Sequence, residues 1–221
     1  MCILKRLLST LVVGTIVYVA FLRKGLNHWG ATGAEFNAKL PGDEKLPQPQ
    51  TMSTRAITIN APAETVWQWV VQIGQGRGGF YSYDRLENLF GLNIHSAERI
   101  EPALQTLQEG DLVNLAPDGP RYVVAEMKPA RALVLLGTDM KTGELPDPEA
   151  PDYYGSTWSF ILEPIDDQTT RLLIRERGQA NALLWRSFNY VLEPITFIME
   201  QKMLRGIKQR AENGVMVPQL A

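Results

Sequence analysis

The sequence has very few of the residues that form disulfides or bind metals in small proteins. Its 221 residues include one cysteine, Cys2, and two histidines, His28 and His95. A single cysteine excludes an intramolecular disulfide, and this set is too small for a structural zinc site of cysteine and histidine ligands. An apolar core must therefore hold the fold, and we expect no metal and no cofactor.

Neither sign of charge is in large excess. The chain has 22 Lys and Arg against 24 Asp and Glu, a net charge of −2. Proteins that bind nucleic acids usually carry a basic surface, so no nucleic-acid partner is predicted. Hydrophobic residues make up 45% of the chain and charged residues 21%, which is the balance of an ordinary globular protein.

Charge is missing altogether from residues 7–22, LLSTLVVGTIVYVAFL, which two basic residues precede and two follow. A helix of this length spans about 24 Å, and flanking Lys and Arg side chains can extend it toward the ~30 Å of a bilayer core. A small-x-small cleavage site does not follow the run. We therefore predict an uncleaved membrane anchor over 1–24 rather than a signal peptide or a core helix. The flanking charges leave the side of the membrane open.

Residues 25–52 contain three prolines, Pro41, Pro47 and Pro49, and polar stretches. This composition predicts an extended linker with a short helix around 34–40.

Residues 53–214 show the periodicities of one folded domain. Alternating and amphipathic runs predict a strand at 54–60, helices at 61–74 and 84–90, strands at 97–100, 111–115, 121–127, 132–136, 156–163 and 170–177, and a long helix at 183–212. Pro194 should kink the long helix or break it near Leu192. Short strands separated by turns predict an antiparallel sheet, so the fold class is α+β. A curved sheet around one long helix leaves room for an apolar cavity.

Four stretches of sequence carry a family resemblance. The run ITINAPAETVWQWVVQIG at 57–74 resembles the strand-to-helix opening of the START-like, or SRPBCC, superfamily, which includes polyketide cyclase-like proteins. The runs at 29–44, 74–100 and 203–212 resemble a membrane-anchored bacterial branch of it. The resemblance covers about residues 25–212. It implies a helix-grip fold and a bacterial inner membrane location, but no particular activity, since the superfamily includes carriers, cyclases and regulators.

The glycine-rich loop GQGRGG at 74–79 invites comparison with phosphate-binding loops. It lacks the G-K-[S/T] ending of a Walker A loop, and a helix precedes it where a dinucleotide fingerprint needs a strand. We interpret it as a flexible turn at the entrance of the cavity.

Aromatic and apolar residues in the domain are the candidates for ligand contacts, with core packing as the alternative. Trp158 and Phe160 alternate on one strand and therefore share a face. Arg177 and Arg175 also share a face, and they would bind an acidic headgroup if that face lines the cavity, or be solvated if it does not. The full set of ligand-binding candidates is Phe80, Tyr81, Tyr83, Trp158, Phe160, Arg177, Phe188 and Met199.

Asp84 and His95 are the one acid–histidine pair in a suitable region, and an oriented histidine can act as a general base. The alternative is that both are structural. Three functions remain open: membrane-tethered binding of a small hydrophobic or lipid-like ligand, a cyclase- or dehydratase-like enzyme for polyketides or isoprenoids, and a membrane-associated interaction protein.

Overall fold

The computed structural model describes residues 22–139 and 142–215, without the side chains of 184–189, 191 and 215. The predicted anchor over 1–24 lies almost entirely outside the described residues. Within the described ranges, no helix combines the length and the apolar character that a membrane span requires.

The described chain forms five α-helices and six strands. The helices are α1 (Arg23–Asn27), α2 (Gly33–Asn37), α3 (Ala63–Val71), α4 (Asp84–Leu89) and α5 (Leu183–Val215). The strands are β1 (Thr51–Ile59), β2 (Leu112–Asn114), β3 (Arg121–Lys128), β4 (Ala132–Gly137), β5 (Tyr154–Asp166) and β6 (Thr169–Ala180), with 3₁₀ turns at Asp43–Lys45 and Pro102–Leu104.

All six strands form one antiparallel sheet in the order β1-β6-β5-β4-β3-β2. The long helix α5 lies across one face of the curved sheet, where it contacts β1, β6 and α3. The predicted α+β class with a long C-terminal helix is confirmed. The break predicted near Leu192 is wrong, because α5 continues through Pro194.

The strand predicted at 97–100 is also wrong. These residues form a loop that other loops and α5 hold in place. The amide of Ala97 donates to the carbonyl of Gly78, and its own carbonyl accepts from Arg210 Nε on α5. A loop carbonyl and a side-chain donor thus replace a neighbouring strand as the partners of this backbone.

The main core lies between α5 and the inner face of the sheet. Alternate residues of the strands point inward, among them Ile59, Phe160 and Ile174, and Leu204 and Ile207 of α5 meet them. These five side chains are fully buried. Burying each contributes roughly 1.5–3 kcal/mol, so this layer supplies much of the stability.

Of residues 25–52, predicted as a linker, the end of α1 contacts α5, residues 33–46 are folded onto the opposite, outer face of the sheet, and residues 51–52 belong to β1. Leu40 packs there with Ala56, Ile161 and Leu173 in a second, smaller core. The carbonyl of Trp29 also accepts from the amide of Ala56, which covers part of the free edge of β1. This segment therefore adds both apolar contacts and edge protection to the domain.

Candidate functional site

A buried arginine lies in the middle of the inner face of β1. Arg55 is 0% exposed. Its Nη1 donates to Oε2 of Glu200 and, at 3.1 Å, to Oε2 of Glu176, while its Nε donates to the carbonyl of Leu26 at 3.0 Å. A buried guanidinium is tolerated only with such partners, because its desolvation is costly.

Glu200 lies on the sheet-facing side of α5, close to the apolar residues of the core. Its Oε1 accepts from Nε1 of Trp158 at 2.7 Å, while its other oxygen is bound to Arg55. Burial raises the pKa of Glu200 to about 7, and the negative charge of Glu176 adds to the rise while Arg55 opposes it. This carboxyl therefore changes its charge near neutral pH.

A cavity of about 80 Å³ borders this cluster, between α5 and strands β1, β5 and β6. Its lining includes Arg55, Ser53, Tyr122, Ser156, Glu176 and Thr196. The side chain of Glu176 is 33% exposed, so the cavity reaches solvent at that point. Pockets for drug-sized ligands measure about 300–1,000 Å³. This cavity is therefore smaller than a pocket for a drug-sized ligand, and its lining mixes polar with apolar side chains, whereas the sequence predicted an apolar cavity.

One guanidinium nitrogen of Arg55 has no hydrogen-bond acceptor among the described residues. This atom, Nη2, is buried. An unpaired buried donor costs about 1–3 kcal/mol, and more for a charged group. Nearby, Ser156 Oγ donates to Tyr122 Oη at 3.1 Å, so this side of the cavity offers further hydroxyl groups.

Three of the predicted ligand-binding residues meet in the main core. The ring centroid of Trp158 lies 6.1 Å from that of Phe80 and 4.7 Å from that of Phe160. None of the three is among the residues that line the cavity. The structure therefore brings them together as packing partners, and Trp158 reaches the charged cluster through its Nε1 atom.

Two other candidates, Tyr81 and Tyr83, line a separate and larger pocket of about 910 Å³, together with Asp84. Tyr81 is buried and donates from its hydroxyl to the carbonyl of Trp69 at 2.9 Å. Tyr83 is exposed, with Lys202 Nζ 6.0 Å from its ring centroid. Met199 is half-buried, and its carbonyl accepts from Ser82 Oγ. The side chain of Phe188 lies outside the described residues.

The guanidinium of Arg177 turns to the outer face of the sheet, although β6 borders the cavity at this residue. Its Nη1 lies 2.6 Å from Oδ1 of Asp43, and Arg175 binds the other oxygen of the same carboxylate at 2.8 Å. The two arginines share a face as predicted, but the segment that folds over them makes them ion-paired rather than solvated.

Asp84 and His95 have partners other than each other. Asp84 accepts from the amide of Ser96 at 2.7 Å and from its hydroxyl at 2.6 Å. His95 is exposed, with Nε2 3.1 Å from Oδ1 of Asn93. Neither side chain lines the cavity at Arg55.

The glycine-rich loop at 74–79 is held tightly against the backbone of His95. Gly74 and Gly79 exchange two backbone hydrogen bonds of 3.0 Å. Gly79 has a φ of +68°, and a Cβ atom there would lie 2.8 Å from the carbonyl oxygen of His95. Close backbone approach thus requires glycine at this position. The loop is not among the residues that line the cavity.

Sequence analysis missed both Arg55 and Glu200. The sequence did contain a signal for both: each is a charged residue at a position where the periodic pattern of its strand or helix calls for an apolar core residue. Arg55 alternates inward with Ile57 and Ile59 on β1, and Glu200 shares the sheet-facing side of α5 with Ile207. Their pairing across 145 positions of the chain has no sequence signature.

Replacing Glu200 with glutamine should remove a pH dependence of folding. The pKa of this carboxyl is about 7 in the fold against 4.5 ordinarily, so the folded state binds the extra proton between these values. Stability from this group is present below pH 4.5 and is lost as pH rises toward 7. Urea titrations should show the unfolding free energy of wild type falling, relative to E200Q, by roughly 2–3 kcal/mol across that window. The exposed Glu98→Gln is the control, and a constant difference between wild type and E200Q would contradict the assignment.

Comparison with known proteins gives structural neighbours but no family. No family model matches the sequence, and no curated protein matches it significantly. A hypothetical protein from Helicobacter pylori is 14% identical, with 79% of this chain and 96% of that chain covered and a TM-score of 0.47. The Zhui aromatase/cyclase from Streptomyces sp. R1128 is 17% identical, with 76% and 98% covered and a TM-score of 0.44. A protein from Nitrosospira multiformis is 11% identical, with 76% and 100% covered and a TM-score of 0.44. All three TM-scores lie below 0.5, so the description of the fold rests on its own strand order and helix placement.

Proposed function

We propose that this protein binds a small ligand with an apolar body and a neutral polar head, and that the head enters the cavity beside Arg55. The observation that carries the proposal is that Arg55 lines a cavity while its buried Nη2 atom has no hydrogen-bond partner among the described residues. A ligand oxygen at that position would satisfy the donor and remove its desolvation cost.

The charges of the cluster favour a neutral head over an anionic one. One guanidinium faces the carboxylates of Glu176 and Glu200, so the three groups together are neutral or negative. An acidic head would meet like charge, which is unfavourable where solvent screening is weak. A hydroxyl or carbonyl can instead accept from Arg55, and a hydroxyl can also donate to Glu176.

The size of the cavity limits how much of the ligand it holds. About 80 Å³ accommodates only a few non-hydrogen atoms, so the apolar body must lie toward the mouth. Leu192, which is half-buried, is an apolar residue in the cavity lining. A long-chain alcohol or a prenyl alcohol has this division into head and body.

An enzyme of the cyclase or dehydratase class is the second candidate. A carboxyl with a pKa of about 7 beside a cavity is the property that a general acid or base needs. Both oxygens of Glu200 are already bound, however, to Arg55 and to Trp158. That occupancy favours a role in holding Arg55, and so favours binding over proton transfer.

Filling the cavity should abolish binding. Thr196 lines the cavity from α5, while Ile198, two residues further on, is exposed. We expect Thr196→Phe to lower the affinity for a fluorescent long-chain alcohol at least about tenfold, and Ile198→Phe to leave it unchanged. Native mass spectrometry of the purified full-length chain, with extraction of bound lipid, measures the occupancy in parallel.

Three results would refute the binding proposal. One is a clean apo mass together with no uptake of the alcohol. A second is unchanged uptake by Thr196→Phe. The third is tighter binding of the matching fatty acid than of the alcohol, which would contradict the neutral head.

We also propose that residues 1–24 tether this domain to a membrane. The uncharged run at 7–22 supports the tether, and the element order supports a place among START-like proteins. The full-length chain should stay in the membrane fraction after alkaline carbonate extraction, and a chain lacking residues 1–24 should be released. Release of the full-length chain would overturn the tether without affecting the ligand proposal.

A further inference from the structure

A group of large apolar side chains lies exposed on α4 and on the middle of α5. We call Leu86, Leu89, Phe90, Ile195 and Ile198 the apolar ridge. Each of them is between 50% and 78% exposed. Single exposed apolar residues are ordinary, but a group of large ones marks an interaction surface.

The start of α4 is held beside the outward face of α5 that carries the second part of the ridge. Ile195, Ile198 and Lys202 follow one another at helical spacing on the face of α5 that points away from the sheet. Lys202 lies over the ring of Tyr83, and Ser82 donates to the carbonyl of Met199, so the start of α4 is held beside this face. Leu86 and Phe90 follow Tyr83 by three and seven residues, a helical spacing that places them on the same side as Tyr83.

Positive charge borders the ridge. Arg85 on α4 and Lys202 and Arg205 on α5 are all exposed. The acidic groups nearby are engaged or buried: Asp84 binds Ser96, and Glu87 is buried. Apolar residues with a cationic border are the pattern of a surface that enters the headgroup region of an anionic bilayer.

The path of the chain leads to the same level of α5. Arg23, the first residue of α1, binds Glu193 on α5 at 2.7 Å through Nε and Oε2. The uncharged run at 7–22 ends one residue before Arg23, so it joins the domain at the level of Ile195 along α5, although Glu193 itself faces the cavity side of the helix. A tether in the bilayer would therefore hold this part of α5 close to the lipid surface.

We propose that the apolar ridge docks on the membrane, with its side chains at the boundary between lipid headgroups and acyl chains. The proposal deepens the tethering proposed above, since the tether supplies the high local concentration of lipid. It also gives the domain a fixed orientation, with one side of α5 against the source of a lipid-like ligand.

Site-specific fluorescence tests the docking separately from the tether. The full-length chain with Cys2→Ser receives one cysteine, at Phe90→Cys or Ile198→Cys, and carries an environment-sensitive nitrobenzoxadiazole label there. Gln168→Cys, in the exposed turn between β5 and β6, is the matched control. The labelled protein is reconstituted into vesicles of phosphatidylglycerol and phosphatidylcholine that contain nitroxide-labelled lipid. We expect nitroxide to quench the labels at 90 and 198 more than about twofold, and the label at 168 hardly at all.

The outcomes separate the proposals. Quenching of the labels at 90 and 198 by aqueous iodide, as strong as at 168, would overturn docking even if the chain floats with the vesicles. Protection from both iodide and nitroxide would also overturn it, because a second copy of the chain would then cover the ridge. Failure to float would overturn both docking and the tether, whereas nitroxide quenching at 90 and 198 in a chain that alkaline carbonate releases would overturn the tether alone.

Discussion

Replacing Arg55 with methionine is expected to lower the free energy of unfolding by about 3–5 kcal/mol. The substitution keeps most of the apolar stem but leaves Glu200 buried without its cation, and Glu176 loses the same partner. Urea unfolding followed by tryptophan fluorescence measures the loss. Because Glu200 can escape the penalty by taking up a proton, the loss should be larger near pH 8 than near pH 5.

A double variant measures the coupling free energy between Arg55 and Glu200. If the cost of R55M comes from a stranded carboxylate, Arg55→Met combined with Glu200→Gln should lose less stability than the sum of the two single variants. The matched control is Arg99→Met, because Arg99 is exposed and pairs with Glu101 at the surface, where solvent screening leaves such a pair little effect on stability. Strict additivity of R55M and E200Q would show that the two side chains are not coupled.

Replacing Arg175 with methionine is expected to have a comparable effect through the outer face of the sheet. Arg175 is 1% exposed. Its guanidinium binds Asp43 and Thr54, and it donates to the carbonyls of Glu35, Phe36 and Ala38 at the end of α2. The variant would leave the buried Thr54 and Asp43 and three part-buried carbonyls with fewer donors, so we expect a loss of about 3–5 kcal/mol.

Limited proteolysis distinguishes local release of residues 33–46 in R175M from a loss of stability of the whole domain. Because Arg175 fixes residues 33–46 to the sheet, R175M should be cleaved within that segment before the sheet unfolds, whereas R55M should not. Arg99→Met again serves as the control. Equal resistance of the segment in R175M and wild type would mean that Leu40 and its apolar neighbours suffice to hold it.

The sequence by itself determined the elements of this fold and their order. Alternation located strands such as β1 and β6, and the repeat of apolar residues over 183–212 located α5, because these periodicities follow from local backbone geometry. It failed at 97–100, where Ala97 bonds to a loop and to Arg210. A segment whose backbone is satisfied by distant side chains has no periodicity to detect.

Tertiary structure alone decided the candidate site. Strand pairing and the position of α5 decide which face of each strand is covered, and which residues cover it. They therefore decide that Arg55 is a core residue and that Arg177 forms an ion pair on the outer face of the sheet. The cluster joins Arg55 to residues 121 and 145 positions away. Local propensity carries no information about such a distance, and the cost of burying a charge is met only when the chain has closed around its partners. For that reason the sequence predicted a cavity between helix and sheet, while the charged residues beside it became visible only in the folded protein.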